Sequence, residues 1–286
     1  MFHFLLDPWH APYMRRALIE MGVLAVLAGT VSVYVLLRRL AFIGDALTHS
    51  VFPGVVVAFV LGQSLFLGAL VAGVVAALLV AAVTRSRRID DDAALGVVLA
   101  TMFAIGVVVV SHQRSYASDL SALAFGRILA VDTREIIVSA VVAALVLAVL
   151  ATLHKELVFR AFDPVATEAL GYRVGALDVV LNLAIALVVV AAVKAVGTVL
   201  VVALIVVPGA TARLLTDRLS HMIVIACAIT ALCGWVGLAT SYDISLHHGV
   251  GVASGATVVV ALTVAFAGAA LASLFTTRRA RLAPTP

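Results

Sequence analysis

The sequence predicts an all-α integral membrane protein, a bundle of about nine transmembrane helices with eight as the alternative count. Three observations carry this. The composition is 64% hydrophobic and 12% charged over 286 residues, whereas soluble domains run roughly 45–50% apolar and about 25% charged. The mean hydropathy is +1.21. Apolar runs of about 20 residues, each long enough to cross a bilayer, recur along the whole chain. Together they exclude a water-soluble enzyme, a nucleic-acid-binding module and a disordered chain. The net charge of +4 needs no nucleic-acid partner, because basic residues in a membrane protein set topology. Cys227 and Cys233 both lie in one apolar run, which fits packing rather than a disulfide or metal site.

The chain reads as a single transmembrane domain over 1–286. Its first 16 residues, with Phe, Leu and Trp broken by two prolines, are expected to lie at the membrane interface and lack the basic start and cleavage site of a signal peptide. Apolar stretches follow at 17–37, 41–62, 64–84, 93–111, 136–153, 176–193, 195–212, 221–241 and 253–275. Only Lys194 separates the sixth from the seventh, so one of these could be a broken or re-entrant helix, which gives the count of eight. Pro208 stands near the expected end of the seventh, where a helix can stop. If the first span ends in the cytoplasm at Arg38 and Arg39, Lys and Arg favour the inside by roughly two to one, with the C-terminus cytoplasmic.

No second soluble domain interrupts the spans. The polar segment 154–175, HKELVFRAFDPVATEALGYRVG, is expected to be a cytoplasmic loop. Within it Asp163 caps a short helix, Pro164 suits the first turn and Gly171 ends it. Such a helix is either a surface for docking another protein or a plain interfacial connector.

An ionisable group inside a span is costly to keep there and is a functional candidate. Asp45 and His49, entering the second span, stand at i and i+4 and share a helix face. A carboxylate and an imidazole there could ligate one divalent transition metal. Two ligands are too few for a tight site, and a second copy across a two-fold axis supplies four. The alternative is that the pair bonds to itself and caps its helix. Asp90, Asp91 and Asp92 precede the fourth span at a helix N-terminus, where acids are favourable in any case. His112, His247 and His248 are expected at outer loop edges as weaker metal-entry candidates. His221, Asn182 and Lys194 read as satisfied or snorkelling polar groups. The chain has no HExxH, no GxSxG and no GxxxxGK[ST]. If ATP drives transport, another subunit must supply the energy.

RRLAFIGDALTHSVFPG (38–54) closely resembles the signature of the permease subunits of ABC importers for manganese, zinc and iron(II), which typically reads RRLSFLGDALSHAVLPG. The likeness extends over almost the whole chain. PYMRRAL (12–18), DDAALGVVLATMFAIGVVVVS (91–111), FGRIL (125–129), FDPVATEALGY (162–172), VVALIVVPGATARLL (201–215) and SGAT (254–257) follow the family's order. Ala93 replaces the usual Thr, Arg127 an Asn and Gly209 an Ala, and YDISLHHGVGVA (242–253) departs from the family's shorter connection.

The resemblance implies an ABC importer permease fold, with two copies bundled around a shared path. It implies a cytoplasmic ABC ATPase dimer docked on Asp163, Pro164, Glu168, Leu170, Gly171 and Tyr172, and an extracellular solute-binding protein that delivers metal. It implies that Asp45 and His49 contact the transported Mn²⁺, Zn²⁺ or Fe²⁺, with no permanently bound cofactor and no covalent chemistry. The expected location is a bacterial plasma membrane. Contact must be modest or the ion would never leave, and acidification weakens it as His49 protonates. An iron–siderophore or cobalamin permease would need a wide cavity without metal ligands. An ion-coupled secondary transporter would need internal repeats and mid-span carboxylates, and the sequence offers neither clearly.

Overall fold

The computed structural model describes residues 9, 11–85, 89–111, 126–248 and 252–282, with 248 and 276–282 by backbone alone. These residues form α1 (Pro12–Leu37), α2 (Ile43–Ser50), α3 (Phe52–Val60), α4 (Leu65–Thr84), α5 (Asp91–Ser111), α6 (Thr133–Thr152), α7 (His154–Phe162), α8 (Pro164–Ala169), α9 (Val174–Leu215), α10 (Leu219–His248) and α11 (Ser254–Leu282), with a 3-10 turn at Ile128–Ala130. Eight helical stretches among them are long and apolar enough to cross a membrane, with α2 and α3 together making one.

α9 is 42 residues long, about 63 Å if straight, twice the hydrocarbon thickness. It is not straight. Gly197, at φ 81° and ψ 164°, interrupts it, in backbone territory that suits glycine alone. The contacts of its two ends define its path. Asp178, one turn into α9, bonds Arg38 at the end of α1, and Gly209, near the other end, packs against Ser32 close to the same end of α1. Lys194, between them, pairs with Glu135 at the start of α6. The chain therefore rises through Val174–Val196, reverses at Gly197 and returns, so the described residues cross the bundle nine times. The reversal falls at Gly197 rather than at Lys194, because the turn needs a positive φ and not a polar residue. The returning arm also runs through Pro208 to Leu215 instead of stopping there. Gly209, next to the proline, seats that arm on α1: a methyl added there would lie 2.5 Å from the Ser32 carbonyl oxygen.

Residues 1–8 and 10 of the expected interfacial segment lie outside the described residues, while α1 begins at Pro12 and takes in residues 12–16. Proline suits this position, where its missing N–H costs nothing. α1 and the two arms of α9 form the middle of the bundle, and Leu24, Leu27, Val31, Ile185, Val188, Val189, Leu200 and Val201 are all buried there. α5, α6 and α11 lie outside, with Val97, Val108, Val141 and Val264 exposed. In a bilayer such apolar exteriors are solvated by lipid. Small residues set the closest approaches, as between Gly29 and Cys227 and between Gly237 and Val258.

Candidate functional site

α1 ends at Leu37, and residues 38–42 turn the chain into α2. Arg39 has φ 57°, and the turn is held by Leu40 N–H on the Val35 carbonyl (3.0 Å) and Ile43 N–H on the Leu40 carbonyl (3.0 Å). α2 breaks from α3 at Val51 because Pro53 follows. Every other residue of α2 is buried, but the side chains of Asp45 and His49 are 37% and 43% exposed. The polar face of this helix thus points out of the chain.

Asp45 Oδ1 lies 3.5 Å from His49 Nε2. Of the alternative reading the pairing is present and the cap is not: Phe42 occupies the N-cap position and no side chain caps the helix. His49 is also held by Phe103 of α5, edge-on at 5.8 Å between ring centroids, and Phe103 leans on Phe52 at 5.6 Å. The Thr48 hydroxyl donates to the Asp45 carbonyl oxygen at 2.8 Å. Ser50, one residue from His49, has a buried hydroxyl with no hydrogen-bond partner. Among the described residues no third His, Cys, Asp or Glu joins the pair to make a metal cluster. One chain therefore offers one carboxylate and one imidazole on an outward face.

The other candidates separate. His247 lies at the far end of α10 and pairs with Asp243 at 3.1 Å. His248 ends the same helix, and His112 lies outside the described residues. Asp91 and Asp92 stand in the first turn of α5. Lys194 does not snorkel alone but pairs with Glu135. A cavity of about 360 Å³ lies beside this pair, lined by Ser64, Phe66, Asp132, Glu135 and Ser139.

At the Arg38 end of the bundle, α8 forms as the punctuation of the sequence requires. Asp163 accepts from Ala166 N–H at 2.8 Å, Pro164 starts the helix and Gly171 follows it at φ 86°. Thr167 is buried beneath, while Phe162, Val165, Leu170 and Tyr172 are exposed. These four side chains make an exposed apolar knob on a capped short helix.

Three acids emerge that sequence reasoning passed over. Glu20, in α1, is fully buried and accepts from the Ser139 hydroxyl at 2.7 Å. Its Oε2 has no partner. Glu135 completes a capping box with Asp132 and pairs with Lys194. Asp178 is clamped by Arg38 at 2.5 Å and by Arg160 at 3.0 Å. An isolated carboxylate in an apolar run is the available signal for Glu20, and the position of Asp178 close after a basic loop is the signal for its pairing.

Nine crossings and an apolar exterior define a polytopic integral membrane protein. The sequence profile described as "ABC 3 transport family" matches residues 10–273, and the chain belongs to that family. It is 37% identical over 254 residues to "Manganese transport system membrane protein MntC" of Listeria monocytogenes, covering 89% of this chain and 88% of that one. It is 32% identical over 249 residues to "Probable iron transport system membrane protein" of Haemophilus influenzae, covering 87% and 92%. Among solved structures, "PsaBC from Streptococcus pneumoniae in complex with Fab" superposes with a TM-score of 0.77 at 31% identity, covering 94% of this chain and 95% of that one.

Proposed function

We propose that this chain is the membrane permease subunit of an ATP-driven importer of divalent transition-metal ions, with Mn²⁺ as the cargo. The observation that carries the reading is the Asp45–His49 pair, half exposed on an otherwise buried helix. A polar pair facing out of a span needs a polar partner, and a second copy of the chain offers the same carboxylate and imidazole. Two oxygens and two nitrogens suit Mn²⁺, Zn²⁺ and Fe²⁺ alike. The name of the Listeria relative favours manganese among them.

In this reading a solute-binding protein releases the ion at the Pro12 end, and Asp45 and His49 of both copies hold it transiently. A separate ATPase dimer docks on α8 through Phe162, Val165, Leu170 and Tyr172. ATP binding and hydrolysis rock the two copies between outward- and inward-open states. The permease performs no covalent chemistry, and the bilayer is the bacterial plasma membrane with the C-terminus inside.

The test is metal uptake in cells that express the whole complex. Asp45→Ala and His49→Ala should each abolish Mn²⁺ accumulation while the complex still assembles, and competing Zn²⁺ and Fe²⁺ rank the cargo. Unchanged uptake in both variants sinks the assignment.

A further inference from the structure

We infer that Asp178 is a positioning residue that transmits movement of the docking helix α8 to the metal-bearing helix α2. The inference rests on the reading of α8 and of the Asp45–His49 pair given above.

The carboxylate of Asp178 stands where three elements meet. Its Oδ1 accepts from Arg38 Nη1 at 2.5 Å and its Oδ2 from Arg160 Nη2 at 3.0 Å. Side-chain exposure is 8% for Arg38, 17% for Arg160 and 19% for Asp178. Charge pairs this sheltered from water hold their geometry far better than exposed ones. Each partner leads in a different direction. Arg160 lies on α7, three residues before Asp163, the residue that caps α8. Arg38 follows the last residue of α1 and opens the turn into α2. That turn has little slack, since its backbone is pinned at Leu40 and Ile43 and passes through a positive φ at Arg39. A second strut runs alongside: Tyr34 in the last turn of α1 bonds His154 Nδ1 at the start of α7, at 2.6 Å. A push on α8 therefore reaches Arg160, then Asp178 and Arg38, and then the helix that carries Asp45 and His49.

A transmitting element needs two arrangements. Glu156 supplies the partner for a second. Glu156 lies one turn before Arg160 on α7, the spacing at which an acid and a base pair along a helix. Glu156 Oε2 and Arg160 Nε are both buried with no hydrogen-bond partner. Arg160 can therefore exchange Asp178 for Glu156 without leaving a bare charge.

The experiment uses the whole complex, permease with its ATPase and binding protein, in proteoliposomes. Two quantities are read: the change in amide hydrogen exchange over residues 43–50 on trapping the ATPase with ADP and vanadate, and Mn²⁺ ions moved per ATP hydrolysed. In Asp178→Asn and in Arg160→Gln the nucleotide-dependent change at 43–50 should vanish. The Mn²⁺-to-ATP ratio should drop about tenfold, within the usual span of an intersite coupling. Asp178→Glu, which keeps the charge, should restore most of both. A wild-type response at 43–50 in Asp178→Asn overturns the inference, as does an equal loss of transport and ATP hydrolysis. If neither variant yields an assembled complex, the cluster is structural and the inference fails. If the wild-type complex moves no Mn²⁺ while residues 43–50 still answer to nucleotide through Asp178, the cargo assignment falls and the linkage stands.

Discussion

Gly54 and Gly68 meet backbone to backbone: a methyl group on either would overlap the carbonyl oxygen of the other. α3 and α4 can lie this close only because both positions lack a side chain. In a bilayer, where water does not drive helices together, such close packing is a main source of association.

Gly54→Ala and Gly68→Ala should each destabilise the protein by about 1–3 kcal/mol through overpacking, seen as a lower thermal midpoint in detergent. Gly96→Ala is the control. It lies on α5 with nothing of this chain within 4 Å of the added methyl, and alanine there should be neutral or slightly stabilising.

Ser139 and Glu20 tie α6 to α1 inside the bundle. Ser139→Ala removes the donor to a fully buried carboxyl and should cost about 1–3 kcal/mol. Glu20→Gln should cost less, because the amide oxygen can still accept. Combining Ser139→Ala with Glu20→Met should recover much of the loss, since removing both polar partners leaves nothing unsatisfied. Thermal midpoints of the wild type, Ser139→Ala, Glu20→Met and the double variant, read as a double-mutant cycle, measure the coupling.

The reversal in α9 depends on two glycines. Gly197 has φ 81°, and Gly126 has φ 71° and would place a methyl against the backbone of Val196 and Gly197. Gly197→Ala should cost on the order of 1–3 kcal/mol for backbone strain. Gly126→Ala should cost more, since it adds a backbone overlap to the same strain. Yield of monodisperse protein and its melting point rank the two. An equal, small effect would show that the turn tolerates both.

Asp163→Ala removes the side chain that accepts from Ala166 N–H. A lost cap is worth about 1 kcal/mol, and α8 has only the six residues Pro164–Ala169 over which to spread the loss. Amides in that helix should exchange faster while those of α1 and α9 keep their protection. Hydrogen exchange with mass spectrometry reads both at once.

The parts that were legible in the sequence have local causes. α8 was readable because Asp, Pro and Gly each act on their own backbone neighbourhood. The Asp45–His49 pair was readable because i,i+4 spacing is geometry within one helix. The turn lies at Gly197, three residues beyond the polar break at Lys194, because the chain turns on a dihedral angle that hydropathy does not register. Glu20 was missed because one carboxyl scarcely alters the average of a long apolar run. The cluster at Asp178 was out of reach because Arg38 and Asp178 are 140 positions apart, and only the packed fold brings them together.

The hairpin at Gly197 also constrains how the protein is made. Two membrane crossings joined by a single glycine leave no hydrophilic loop for the translocation machinery to pass across the bilayer. Neither arm of α9 can settle alone with its far end already exposed to water. The two arms are therefore expected to enter the membrane as one pair, with the second arm, rather than a charged loop, holding the first in place. Tags or protease sites placed between them would break the insertion they were meant to report.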